Sequence, residues 1–391
     1  MISQLKALRS QTLLRIDRFR RGRLFHDSRS DTDLDRHLCE AVSWLKRAQD
    51  YGVDRGVSYG ADFGGPFLDS YPETTGYIIP TFIKLSEYYE DQSLMDRAIE
   101  MGRWESEVQM DCGAVMGGRI NPNPAPAVFN TGMVLLGWAA LCERWGEATF
   151  LRAIKRAVDW LLRLQDPNGN WRKGNSRFAN PSTTVYNVKA AWGMGEAGRV
   201  AQIPEAIAGA IRNAEFCQSK QAPNGWFADC CLTDATQPLL HTIAYAMQGL
   251  IGIGCLTNRE DFIRSAVRTA DSLIMLMDRE GFIPGRIGPD FNGTVDWCCL
   301  TGTAQTAIVW GRLFQLTGNA KYSEAMHRAN LYLLRRHDID NSDPRLRGGV
   351  PGSWPVWGDY GRLMILNWAT NFFVEALLME KTIMSTTADI N

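Results

Sequence analysis

Four residues whose types could move a proton stand at related positions along the chain. They are Glu73 in Tyr71-Pro72-Glu73-Thr74-Thr75-Gly76, Tyr186 in Val185-Tyr186-Asn187, His241 in Leu240-His241-Thr242, and Asp296 ahead of Trp297-Cys298-Cys299. Two carboxyl groups across a cavity, one protonated and one ionised, are the usual equipment for cleaving a glycosidic bond. Glu73 as general acid or base, with Asp296 as its partner carboxylate, is the pair this sequence offers. A phenol and an imidazole facing one cavity, with an arginine to neutralise a carboxylate, would instead remove the proton next to a uronate. Tyr186 and His241 supply that second kit, and Arg119 and Arg286, each directly after a loop glycine, supply the charge. Around them Asp62, Asp69 and Asn130, with the aromatic rings of Tyr71, Trp226, Trp297 and Trp357, make a mixture suited to stacking on sugar faces and bonding their hydroxyls. Glu73 also has an ordinary structural role open to it, since a carboxylate at a helix N-terminus stabilises by roughly 0.3–1 kcal/mol.

These residues come together only if the elements carrying them converge. Ala157, Trp160, Leu161 and Leu164 recur at helical spacing, Pro167-Asn168-Gly169 stops that helix, and a second apolar helix begins near Thr184. The unit occurs six times, with first helices starting near residues 37, 94, 150, 205, 260 and 320. Loop signatures such as Gly64-Gly65-Pro66-Phe67, Asn168-Gly169-Asn170-Trp171 and Asn224-Gly225-Trp226-Phe227 follow each first helix. Thr75, Thr131, Tyr186, Thr242, Thr301 and Gly361 open the second helices about 55 to 60 residues apart, a period of helical-hairpin arrays. The second helices are the more apolar, lacking a polar face, and so form an inner ring enclosed on both sides. Trp44, Trp104 and Trp160 on the first helices serve packing. The expected fold is all-α, an (α/α)6 toroid over residues 37–391, with every long loop at one end of the barrel.

Residues 1–36 lie outside the repeat and are expected to form a basic helical arm, with Arg9, Arg15, Arg18, Arg20, Arg21 and Arg23 beside Leu5, Leu8, Leu13, Leu14 and Ile16. Such an arm either packs on the toroid rim or touches anionic lipid peripherally. A formal charge of -1 over 391 residues, with no broad basic run after the arm, excludes a nucleic-acid surface. No apolar run long enough to span a bilayer and no leader pattern is read, so a cytoplasmic location is expected. Nine scattered cysteines suit reduced, buried thiols.

The helical-hairpin pattern over residues 37 to 380, with Tyr71-Pro72-Glu73-Thr74-Thr75-Gly76-Tyr77 and Cys299-Leu300-Thr301-Gly302-Thr303-Ala304-Gln305, resembles the six-hairpin toroid superfamily. That superfamily includes unsaturated glucuronyl hydrolases, polysaccharide lyases and uronyl epimerases, and the two segments are similar to toroids associated with bacterial exopolysaccharide production. The resemblance implies an enzyme acting on a uronic-acid-containing oligo- or polysaccharide without a cofactor, most simply a glycoside hydrolase. A lyase or C5-epimerase is the first alternative, a non-catalytic glycan-binding toroid the second, and a terpene- or prenyl-type cyclase a further one. Glu73 matches one carboxylate of the glucuronyl hydrolases, whereas Asn130 stands where they carry their catalytic aspartate, and an amide cannot supply a proton. Gln165-x-x-x-Gly169-x-Trp171 is similar to the glutamine-tryptophan motif of terpene cyclases, but their Asp-x-Asp-Asp acid is absent. A scaffold role for Gln165 and Trp171 is expected instead. His241, Asp296 and Cys298 are a conceivable zinc set, though their order matches neither the prenyltransferase nor the lanthionine cyclase pattern. No metal is assigned.

Overall fold

The computed structural model describes residues 32–176, 179–180 and 184–388. The expected N-terminal arm lies almost wholly outside them. Twelve α-helices are described: α1 (Leu34–Asp50), α2 (Pro72–Tyr89), α3 (Gln92–Glu107), α4 (Val128–Arg144), α5 (Ala148–Leu164), α6 (Val188–Ala201), α7 (Pro204–Ser219), α8 (Leu240–Thr257), α9 (Glu260–Leu276), α10 (Leu300–Thr317), α11 (Ala320–Leu334) and α12 (Asn367–Ala388). Four short strands join them: β1 (Gly60–Asp62), β2 (Cys298–Cys299), β3 (Ser353–Trp354) and β4 (Met364–Leu366).

The even-numbered helices pack one on the next, α2 on α4, α4 on α6, and so on to α12, which returns to α2. The circle is closed. Each odd-numbered helix lies outside, and its residues show why. In α5 the buried set Phe150, Ala153, Ile154, Ala157, Val158 and Leu161 forms one stripe, while Arg152, Lys155 and Arg156 fill the other face. In α8 nearly every residue from Leu240 to Ile251 is buried, because both faces meet protein. This 18-residue helix is, by length and composition, apolar enough to cross a bilayer, which the sequence reading overlooked; here it is an inner-ring stave, 78% buried.

Closure depends on contacts between the two ends of the chain. β1 pairs antiparallel with β4, Gly60 opposite Leu366. Asn367 Nδ2 donates to Ser58 O at 2.8 Å and to Thr74 Oγ1 at 2.7 Å. The Trp44 indole N–H reaches Arg345 O at 2.7 Å, seating α1 against the sixth loop. Between neighbouring repeats the outer wall is clamped by glutamines. Gln109 Nε2 donates to Gly113 O and Ala153 O, and Gln165 Nε2 to Gly169 O and Gly209 O, each side chain bridging its own loop to the next outer helix. Trp171 is fully buried and donates to Leu161 O at 3.0 Å, so the Gln165–Trp171 motif belongs to the scaffold.

Two boundaries differ from the sequence reading. The first helix begins at Leu34, three residues before the expected start, because the Asp33 carboxylate caps the Asp35 and Arg36 amides. The sixth inner helix begins at Asn367, since Gly361 sits at φ 56° and Met364–Leu366 is committed to pairing with β1. The true counterpart of Thr75 and Thr131 is Thr370: its Oγ1 accepts the Val350 N–H at 3.0 Å, as theirs accept those of Val57 and Val115. The nine cysteines are free, and Cys39 and Cys112 are exposed rather than buried.

Glu105 on α3 is fully buried, and neither carboxyl oxygen has a hydrogen-bond partner among the described residues. Burial, with Asp54 nearby, holds its pKa well above the ordinary value. The folded chain therefore keeps a proton that the unfolded chain loses, so stability is greatest below the unfolded pKa. It falls with rising pH by up to ~1.4 kcal/mol per unit until Glu105 ionises. Glu105→Gln should flatten that decline and raise Tm at alkaline pH in thermal melts. Gln165→Leu strips two carbonyls and Arg212 of their partner and should cost about 1–3 kcal/mol in chemical denaturation.

Candidate active site

The first turns of the inner helices meet at the ring axis, beneath the loops. Pro72 at the first position of α2 fixes the backbone for helix entry, and Glu73 follows it into the axis. The Tyr71 hydroxyl donates to Glu73 Oε2, while Oε1 has no bond among the described residues. Glu73 is only part-buried, so a path from solvent remains. Desolvation raises its pKa to about 7, partly opposed by the bond from Tyr71. At neutral pH the group stands near its midpoint.

Phenols surround this carboxyl. Tyr59 stacks on Tyr71 with ring centroids 5.4 Å apart, and Trp368 meets Tyr59 edge-on at 4.7 Å. Tyr77, one helical turn below Glu73, stacks on Phe372. Tyr186 packs on Phe129 at 5.3 Å, Phe129 on Tyr245 at 4.8 Å, and Tyr245 on His241 at 4.3 Å. Burial raises the pKa of Tyr59, Tyr71, Tyr77, Tyr186 and Tyr245, with the Glu73 charge adding to each. All are neutral hydrogen-bonding groups at physiological pH.

His241 Nδ1 lies 2.7 Å from Gln305 Oε1. An amide oxygen only accepts, so Nδ1 carries the proton and Nε2 keeps its lone pair. Burial lowers the imidazole pKa to about 4, so His241 is uncharged. Among the described residues several buried polar atoms near these helix starts have no partner, Asn187 Oδ1, Thr301 Oγ1, Gln305 Nε2 and Asn371 Oδ1, while the Asn130 amide faces the Tyr71 hydroxyl. Buried polar groups are rarely left unpaired. Their convergence on one axis marks where a polar ligand would sit.

Of the residues singled out from the sequence, Glu73, Tyr71, Asn130, Tyr186 and His241 share this cluster. Arg286 is nearby in the fifth loop, donating to Gln237 O at 3.1 Å and lying 3.7 Å from the exposed Asp359 carboxylate. Arg119 pairs with Asp69 at 3.5 Å on the exposed rim, its guanidinium 5.8 Å from the Tyr59 ring. Asp62 is on β1, in the first loop. Trp297 is buried against Gly285 and Gly358, Trp226 is held by its N–H to Ile287 O, and Trp357 is exposed at the rim. Asp296 is exposed, and no described interaction links it to Glu73. It does not join His241 and Cys298 either: Cys298 Sγ bonds Thr303 Oγ1 at 3.2 Å, and burial pushes its thiol up to about 11. Among the described residues no three His, Cys, Asp or Glu side chains converge as a metal site.

Tyr59, Tyr77, Tyr245 and Trp368 escaped the sequence reading. For two of them a signal was present, since Tyr77 and Tyr245 each lie four residues after Glu73 and His241, on the same helix face.

No family model matches the chain, and no curated protein does. Among solved structures the chain is similar to an unsaturated glucuronyl hydrolase specific for heparin, with TM-score 0.71 and 15% identity over 90% of this chain and 98% of that one. It is similar to the glycosaminoglycan-degrading unsaturated glucuronyl hydrolase of Bacillus sp. GL1, with TM-score 0.67 and 14% identity over 88% and 96%. Cellobiose 2-epimerase from Bacillus thermoamylovorans B4167 gives TM-score 0.69 and 11% identity over 89% and 98%. These likenesses establish the (α/α)6 toroid.

Because Tyr71 stabilises the ionised form of Glu73, Tyr71→Phe should move the Glu73 pKa above 7. Carboxyl-carbon NMR titration reads this directly; an unchanged midpoint would show that the hydroxyl does not control the carboxyl.

Proposed function

We propose that the chain is a carbohydrate-active enzyme that hydrolyses a uronic-acid-containing oligosaccharide, with Glu73 as its single proton-transfer residue. The observation that carries this is the carboxyl itself: part-open, bonded on one oxygen by Tyr71, and poised by burial at a pKa of about 7. A paired-carboxylate mechanism would need a second acid beside Glu73, and Asp296 is exposed outside the cluster. An unsaturated uronide requires only one. Its ring oxygen makes the C4=C5 double bond electron-rich. Protonation at C4 leaves a cation at C5 stabilised by that oxygen, and water adds there. The same carboxylate then receives the proton of the water, which restores the acid. The C5 hemiketal so formed opens by breaking the C5–O5 bond to a ketone, and C1, now a hemiacetal, releases the glycosidic alcohol as it becomes an aldehyde. Asn130, beside Tyr71, would donate an Nδ2–H to a substrate oxygen, and Arg286 would offset the uronate charge. Two of the similar folds are glucuronyl hydrolases by name, which supports the reading.

A second reading rests on Tyr186 and His241 bordering the same cluster, which would suit elimination or C5 epimerisation. Reaction in deuterated water separates the three chemistries. Hydration of an unsaturated uronide consumes its ultraviolet absorbance and leaves deuterium at C4. Elimination creates that absorbance, and epimerisation exchanges the C5 proton.

Glu73→Gln should abolish turnover of an unsaturated uronyl disaccharide while shifting Tm little; retained turnover would remove Glu73 from the mechanism. Since the protonated form acts, kcat/KM should fall as pH rises through about 7, and a rise over that interval would assign Glu73 as base instead.

A further inference from the structure

A cavity of about 330 Å³ lies at the end of the inner ring opposite the Glu73 cluster. That volume is within the range of small-molecule sites. Tyr77 and Phe372, stacked with centroids 5.2 Å apart, form its boundary with the Glu73 cluster. Lys84, Glu143 and Arg199, all exposed, line its open rim. Between them stand Leu136, Trp192 and Lys189.

Lys189 is only 6% exposed, unusual for a lysine that no carboxylate among the described residues pairs with. Its one hydrogen bond among the described residues runs to Gln248 Oε1 on α8, at 3.0 Å, and its Nζ lies 4.5 Å from the Trp192 ring centre. An ammonium has three donors, so two are unmatched where the side chain lines the cavity. The nearby acids are engaged elsewhere. Glu375 Oε1 on α12 accepts from Thr81 at 2.8 Å and Asn371 at 3.0 Å. Glu143 on α4 and Glu196 on α6 both pair with Arg199. A buried cation without a partner anion is expensive. Burial accordingly lowers the Lys189 pKa to about 7, with Glu375 opposing the shift and Lys84 on α2 adding to it.

We propose that this cavity is a second ligand site, separate from the Glu73 cluster, that binds a small organic carboxylate through Lys189 Nζ with its apolar face against Trp192, Leu136 and Phe372. The inference goes beyond the reading of the Glu73 site and stands without it. The ligand's carboxylate supplies the missing anion, so binding restores the ammonium and takes up a proton. Affinity is then constant below neutrality and falls above it.

Glucuronate, a carboxylate on a pyranose ring, is the probe, with glucose as its uncharged counterpart. Isothermal titration should show saturable glucuronate binding and none of glucose, about tenfold weaker for each pH unit above the lysine pKa. Lys189→Met should abolish this binding while keeping the native circular dichroism, and Glu73→Gln should bind as the unsubstituted protein does. Should Lys189→Met fail to fold, NMR of lysine labelled at Cε in the unsubstituted chain gives the answer: glucuronate should raise the Lys189 pKa. Absence of saturation, equal binding of glucose, an unmoved lysine pKa, or binding lost in Glu73→Gln but kept in Lys189→Met would overturn the proposal. The last outcome would place glucuronate in the Glu73 cluster and leave the proposed function standing.

Discussion

The constraint on which the site depends is the attachment of inner helices to the loops before them. Thr75, Thr131 and Thr370 each accept a loop N–H with the hydroxyl oxygen and donate to the carbonyl four residues back, at the helix entry. Thr242 ties the fourth helix through Cys230 O, and in the fifth the Cys299 sulfur takes the Gly302 N–H instead. The effect is to fix height and rotation together. Residues just before the pinned threonine, Glu73, Asn130 and His241 among them, are thereby delivered to one level at the axis. A ring of helices held only by apolar packing could rotate each stave and scatter these groups.

Closure sets the electrostatics as well. The inner helices wall the axis, and in the described first-turn cluster Glu73 is a carboxyl amid phenols, amides and an uncharged imidazole. A lone charge in such surroundings is costly, and its pKa rises toward neutrality. No neighbouring acid is needed to tune it. The unpaired amide and hydroxyl atoms of the same turns are the other side of this arrangement. Such atoms are costly unless water or a bound ligand completes their hydrogen bonds.

The architecture was legible in the sequence because it rests on repetition: six first helices with one apolar stripe, six second helices without a polar face, and glycine-rich loops between. The sixth repeat was misread where its opening motif was sought at Tyr360-Gly361, since the pairing of β4 with β1 is a contact across some 300 residues and leaves no local trace. Among the site residues, those beside the threonine pins could be found by register. Asp296 could not be judged that way, because it belongs to a loop whose path periodicity does not determine. Tyr59 reaches the cluster from the first loop for the same reason. Cys298 looked like a metal donor by residue type, yet burial and the bond to Thr303 make it a core thiol.

The two ends of the axis are related by the material between them. Tyr77, Tyr245 and Phe372 separate the Glu73 cluster from the cavity of Lys189, and the lysine charge contributes to lowering the pKa of His241. An acid and an amine, each brought by burial to a pKa of about 7, thus sit on either side of an aromatic partition. Neither is neutralised by the other, for a direct ion pair would have driven their pKa values apart rather than together. The same closed ring that raises the acid lowers the amine, because desolvation opposes whichever form is charged.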